Sequence, residues 1–121
     1  MTRVTFTIGQ MVIHSEWRDT PTAKRLLEKL PFSAQGSYWG EEFYFPVPVK
    51  ASAEPDATDV VEPGTVAFWV EGSCLCLFWG PTPASLGSEC RAASEVNIVG
   101  RVTNPQALTR LAARAVTVAV E

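Results

Sequence analysis

The adjacent carboxylates Glu41 and Glu42 are the residues best suited to acid–base chemistry, and Cys74, Cys76, Cys90 and His14 are the set best suited to nucleophilic or metal chemistry. Acid–base work by two carboxyls needs both to reach one substrate. Neighbours on a strand point to opposite faces, so this pair does not line one site from a regular strand. If Phe43 and Phe45 face the core, Glu41 and Trp39 share their face, and Gly40, Glu42 and Tyr44 take the other. An unpaired buried carboxylate is costly, which puts Glu41 at a rim, either paired with an arginine or touching a ligand. Cys74 and Cys76 stand at i and i+2, a strand spacing that splays thiols apart and differs from the C-x2–4-C knuckle of structural zinc sites. The cysteines read as small core hydrophobes, with no metal or cofactor implied. A nucleophilic cysteine needs a base beside it. Only His14 is available, and it falls on the polar phase of its strand. No phosphate loop, nucleotide fingerprint or Ser-His-Asp arrangement is visible, so no catalytic residue is assigned.

The aromatic residues are the stronger signal. The chain has four tryptophans, a residue type that is rarely fully buried and is common at binding surfaces. Tyr38, Trp39, Tyr44, Trp69, Phe78 and Trp79 exceed what a barrel interior already filled by Val, Ile, Leu and Phe accommodates. Two or three of them are expected to line an outer cleft; the alternative is that they pack under the helices and the 80–90 loop. The candidate ligand-binding residues are Tyr38, Trp39, Glu41, Trp69, Phe78, Glu95 and Asn97. Glu95 and Asn97 are placed on the outward face of a late strand, either as solvated groups or as groove contacts. Arg91, just before that strand, is suited to an anion or to pairing with Glu95. A cleft of this kind takes a small apolar molecule held by a few polar groups, or an extended or proline-containing peptide.

Alternation predicts the elements that carry these residues. Val4, Phe6 and Ile8, then Met11 and Ile13, mark strands at 3–8 and 11–16 joined by a two-residue turn at Gly9-Gln10. Thr20-Pro21 reads as a cap and first helical residue, and Ala23, Leu26, Leu27 and Leu30 form an apolar stripe up to Pro31. Phe32 to Phe45 reads as two strands split by Gly36 and Gly40, interrupted by Pro46 and Pro48. The segment 51–59 reads as an exposed loop. Strands follow at 65–70, 74–79 and 95–103, the last with Val96, Ile98 and Val102 inward. Asn104-Pro105 repeats the helix-start device for a second helix over 104–114, and Val116, Val118 and Val120 close the chain as a strand.

At 121 residues the chain is one domain, 1–121, and its 46% apolar and 19% charged residues are ordinary for a globular fold. A net charge of −3 without a basic run argues against nucleic acid or an anionic membrane surface as partner. The start alternates polar and apolar residues rather than carrying a leader, no apolar run approaches the ~20 residues of a membrane helix, and three cysteines fit a reducing cytoplasm. Seven or eight strands and two short helices suggest a closed or nearly closed antiparallel β-barrel, because closure removes exposed edges. Oligomeric state is not legible.

Three ordered blocks carry a resemblance: Trp39-Gly40-Glu41-Glu42-Phe43-Tyr44-Phe45, then Gly64 to Pro83, ending Cys74-Leu75-Cys76-Leu77-Phe78-Trp79-Gly80-Pro81-Thr82-Pro83, then Ala93-Ser94-Glu95-Val96-Asn97-Ile98-Val99-Gly100-Arg101. Together with Leu27 to Pro31, they resemble a small family of cyclophilin-like prokaryotic proteins over nearly the whole chain. The resemblance implies a mainly β, cyclophilin-like antiparallel barrel of about eight strands with two short helices. It implies no particular activity. Orthodox cyclophilins carry a Phe-His-Arg segment whose arginine helps rotate the prolyl bond. Here His14 is followed by Ser15, which counts against lowering a barrier of about 18–20 kcal/mol. A divergent peptidyl-prolyl isomerase is the alternative to a binding protein, on fold analogy alone.

Overall fold

The computed structural model describes all residues from Met1 to Glu121. Ten strands form a single sheet, in the order β3-β10-β1-β2-β9-β7-β8-β5-β4, with β6 paired to β9. They are β1 (Thr2–Ile8), β2 (Met11–Trp17), β3 (Phe32–Gln35), β4 (Ser37–Tyr38), β5 (Glu42–Pro46), β6 (Thr58–Val61), β7 (Thr65–Trp69), β8 (Cys74–Phe78), β9 (Cys90–Val102) and β10 (Ala115–Val120). Every pairing is antiparallel. The ladder does not close. Its two end strands, β3 and β4, are consecutive in the chain and joined through Gly36; the first pairs with β10 and the second with β5. Covalent continuity therefore spans the seam that lateral hydrogen bonds leave open.

The inward face builds the main core: Val4, Phe6 and Ile8 of β1, Phe43 and Phe45 of β5, Leu75 and Leu77 of β8, and Val116 and Val118 of β10 are all buried in it. Helix α1 (Pro21–Leu27) adds Ala23 and Leu26. Its start is as the sequence suggests, with the Thr20 hydroxyl accepting the Ala23 N–H at 3.1 Å. It stops at Leu27, one turn short of Pro31.

A second apolar layer lies on the outer face, where Ala67, Cys74, Cys76, Phe78 and Val96 meet Val61, Cys90 and Ala92. It forms because β9 is long and does two jobs. Residues 96–101 pair with β7, while 90–96 pair with β6. The segment 51–59, expected to be a loop, ends in strand β6.

This second layer explains a phase error. Where both sheet faces are apolar, alternation no longer tells inside from outside. Between Val66/Ala67 and β9 the register shifts at a bulge, and a bulge changes which residues share a face. Val96 therefore joins the outer layer, Val99 and Val102 the main core, and Asn97 stands opposite buried Phe68. The second helix also differs: it is a 3-10 helix over Pro105–Arg110 only. Asn104 does not cap it. Its side chain instead accepts the His14 N–H at 3.0 Å and donates to the Val12 carbonyl at 3.3 Å. No helix is long and apolar enough to cross a membrane.

Candidate functional site

A cavity of about 200 Å³ opens on the outer face, walled by Trp39, Glu42, Tyr44, Trp69, Ala92 and Ala93. Each wall has a local cause. Tyr38 pairs with Phe43, and the Trp39 N–H donates to the Glu42 carbonyl at 2.9 Å. Directly opposed residues share a face, so the hairpin puts Trp39 beside Glu42. The two-residue turn between them is Gly40-Glu41, and Gly40 has φ +60°, a conformation that glycine adopts without penalty. The expectation that Trp39, Glu41, Phe43 and Phe45 share one face is thus corrected: the chain reverses at Gly40, Trp39 turns outward, and Glu41 is left exposed in the turn.

Trp69 ends β7 and is held in place. Its Nε1–H donates to the Ser94 hydroxyl at 2.7 Å, and Ser94 donates to the Glu71 carboxylate at 3.0 Å. A Cβ on Gly72 would lie 2.1 Å from the indole, so only glycine allows the turn to fold under the ring. Ala92 and Ala93, where β9 crosses the outer face, are small enough to leave the cavity open.

Glu42 is the polar group of the wall with the most unusual setting. It stands opposite Phe78 on β8 and is only 5% exposed. Its Oε1 atom finds no hydrogen-bond partner in the protein. Burial pushes its carboxyl up to about 7, against a smaller opposite pull from the Cys76 thiol. That thiol has a second acceptor, the Cys74 carbonyl at 3.8 Å, so its one S–H does not hold Glu42 full time. All three thiols lie in the outer layer, and burial is the first cause of their raised pKa values. No group of three or more His, Cys, Asp or Glu side chains is placed to hold a metal.

Of the surplus aromatics, Trp39, Tyr44 and Trp69 come together at this cavity. Of the seven candidate ligand-binding residues, only Trp39 and Trp69 do. Tyr38 turns to the opposite face, 5.0 Å from the Phe43 ring between centroids, with its hydroxyl donating to the Ala113 carbonyl at 2.6 Å. Phe78 is fully buried in the outer layer. Glu95 is exposed beside a separate depression with Val70, Glu71 and Ser94.

Asn97 is fully buried rather than outward. Its oxygen accepts the Glu54 N–H at 2.8 Å, and its amide donates to the Ser52 carbonyl at 2.9 Å and the Thr22 hydroxyl at 3.0 Å. Arg91 pairs with Asp59 at 2.8 Å and Glu89 at 2.9 Å rather than with Glu95. His14 sits on β2, 3.5 Å from the Glu121 carboxylate. Glu42, Tyr44, Ala92 and Ala93 are the wall residues outside the ligand candidates. The available signal was Gly40-Glu41 itself, a Gly-X pair between two aromatic runs, the same device that marks the hairpin at Gly9-Gln10.

Comparison with known proteins agrees with this architecture. A family model described as cyclophilin-like matches residues 2–121. The solution structure of a hypothetical protein from Archaeoglobus fulgidus is similar, with a TM-score of 0.84 and 33% identity over 99% of this chain and 95% of that one. No curated protein matches in sequence.

Proposed function

The chain belongs to the cyclophilin-like family, and we propose that it is a binding protein that takes a small organic molecule, or one side chain of an extended peptide, in the outer cavity between β5, β7 and β9. One observation carries this reading: Glu42, whose buried Oε1 has no partner in the protein, lines a cavity together with Trp39, Tyr44 and Trp69. Ligand sites combine apolar and aromatic walls with a few placed polar groups. A volume of about 200 Å³ suits one ring or its equivalent, since a cavity of about 150 Å³ holds benzene. None of the wall residues is an arginine or histidine, so the cavity does not offer the side chains of an orthodox prolyl isomerase.

The test is a screen of single-ring fragments by backbone amide shifts. The expected hits move Trp39, Glu42, Tyr44, Trp69, Ala92 and Ala93 together at millimolar concentration or below. A screen in which no fragment moves that set overturns the reading.

A further inference from the structure

We propose that the outer cavity selects a small organic cation, a primary or methylated ammonium, with the Glu42 carboxylate as its counter-ion and the rings of Trp39, Tyr44 and Trp69 as its walls. The inference rests on the binding role proposed above and names the chemistry of the ligand. Three observations carry it.

The first is the composition of the wall. Trp39, Tyr44 and Trp69 are aromatic, Ala92 and Ala93 are small and apolar, and Glu42 is the carboxyl among them. Indole and phenol rings attract cations through their quadrupoles, more strongly when the cation leaves water, and aromatic cages around methylated ammonium groups use this. A carboxylate within such a cage adds a full charge.

The second is that Glu42 has no positive partner. The groups facing it are the thiols of Cys76 and Cys74 on β8 and Cys90 on β9, all shifted toward the neutral form, with Tyr44 on its own strand. Glu41, next in the chain, is exposed and has the same charge as Glu42. The guanidinium of Arg91, one residue before the wall residue Ala92, is committed to Asp59 and Glu89. An ionised Glu42 is therefore a buried charge without a counter-ion, and the counter-ion must come from the ligand.

The third is the orphaned Oε1 atom of Glu42, out of solvent contact in a residue that is only 5% exposed and lines the cavity. An ammonium N–H, or the polarised methyls of a methylated one, supplies what that oxygen lacks.

The proton balance follows. Free Glu42 holds a proton below about pH 7. A cation binds the carboxylate, so in that range the O–H bond breaks, the proton leaves to solvent and the ion pair forms. Affinity rises about tenfold from pH 6 to pH 8, the ratio of ionised fractions for a group that titrates near 7.

The experiment follows tryptophan fluorescence during titration with benzylammonium and its neutral counterpart benzyl alcohol, and with tetramethylammonium and tert-butanol, at pH 6 and pH 8. The wild-type protein is expected to prefer each cation by tenfold or more at pH 8 and to lose most of that preference at pH 6. Glu42→Gln removes both the preference and the pH dependence. Ala93→Phe, placed at an exposed position on the cavity rim, blocks cations and neutral probes alike. If the neutral probes bind as well as the cations and Glu42→Gln changes nothing, the cation inference is overturned and the small-ligand role stands. If no probe of either kind binds, both fall.

Discussion

Glutamine at position 42 keeps the shape of the side chain and removes its ionisation, so Glu42→Gln isolates what the buried carboxyl does to the fold. The wild-type group titrates near 4.5 in an unfolded chain and near 7 in the folded one. Between those values the folded state holds a proton that the unfolded state has released. Stability from this group is therefore fully present below about pH 4.5 and is lost as pH rises through about 7. At about 1.4 kcal/mol for each pH unit, the loss is about 3 kcal/mol by pH 8. Burial is the first cause of the shift and the orphaned Oε1 marks the missing compensation.

The assay is urea unfolding of both proteins at closely spaced values from pH 4.5 to pH 9. The groups that do not feel Glu42 are common to the two chains and cancel in the difference; the three thiols, which its charge pushes further up, enter only at the alkaline end of the range. The difference curve should run from under about 1 kcal/mol at pH 4.5–5 to about 3 kcal/mol in favour of Glu42→Gln at pH 8. For a domain of this size that is roughly a 10 °C rise in Tm at pH 8. Parallel curves for the two proteins would refute the buried-carboxyl argument. A variant more stable at pH 5 but not at pH 8 would refute its sign.

Two further outcomes are expected. Asn97→Ala leaves the Glu54 N–H and the Ser52 carbonyl without their present partner and should cost about 3 kcal/mol in urea unfolding, with earlier proteolysis in the 51–57 segment; a loss under about 0.5 kcal/mol contradicts the role given to Asn97. The three thiols, buried and shifted upward, should resist an aromatic disulfide reagent at pH 8 until the protein is unfolded, whereas rapid labelling of the native protein would show that the outer layer is not closed over them.

Much of the architecture was legible because one face of most strands is simple. Val4, Phe6 and Ile8 point in while Thr5 and Thr7 point out, and Val116 and Val118 do the same near the end of the chain. The Thr20 cap was legible because its chemistry is local. The identical-looking Asn104 was not, because its side chain is claimed by β2, far away in sequence. The candidate site failed to read through for a related reason. It lies on the outer apolar layer, beside the stretch of β9 where Val96 and Asn97 exchange the faces that alternation assigns them. Trp39 and Trp69 were visible as surplus aromatics. Glu42 does not stand out while it and Glu41 are read as one continuous strand. The turn at Gly40 separates them, one exposed and one buried.

Asn97 and Glu42 show how a buried polar group can be assigned to structure or to binding. Asn97 is fully buried, and its three hydrogen bonds reach Glu54, Ser52 and Thr22, tying β9 to α1 and to the segment before β6. Thr22 completes the set by donating to the Glu54 carboxylate at 2.5 Å. Every partner is supplied by the chain, so the network is accounted for by folding alone. Glu42 is almost as deeply buried, yet its Oε1 has no partner, the one thiol that bonds its carboxyl is shared, and the residue lines a cavity that opens to the outside. A group that only had to fill space there would be more stabilising as glutamine or as an apolar residue of similar size. The carboxyl makes physical sense when the missing partner arrives with a ligand, and its charge state makes that partner a cation above about pH 7.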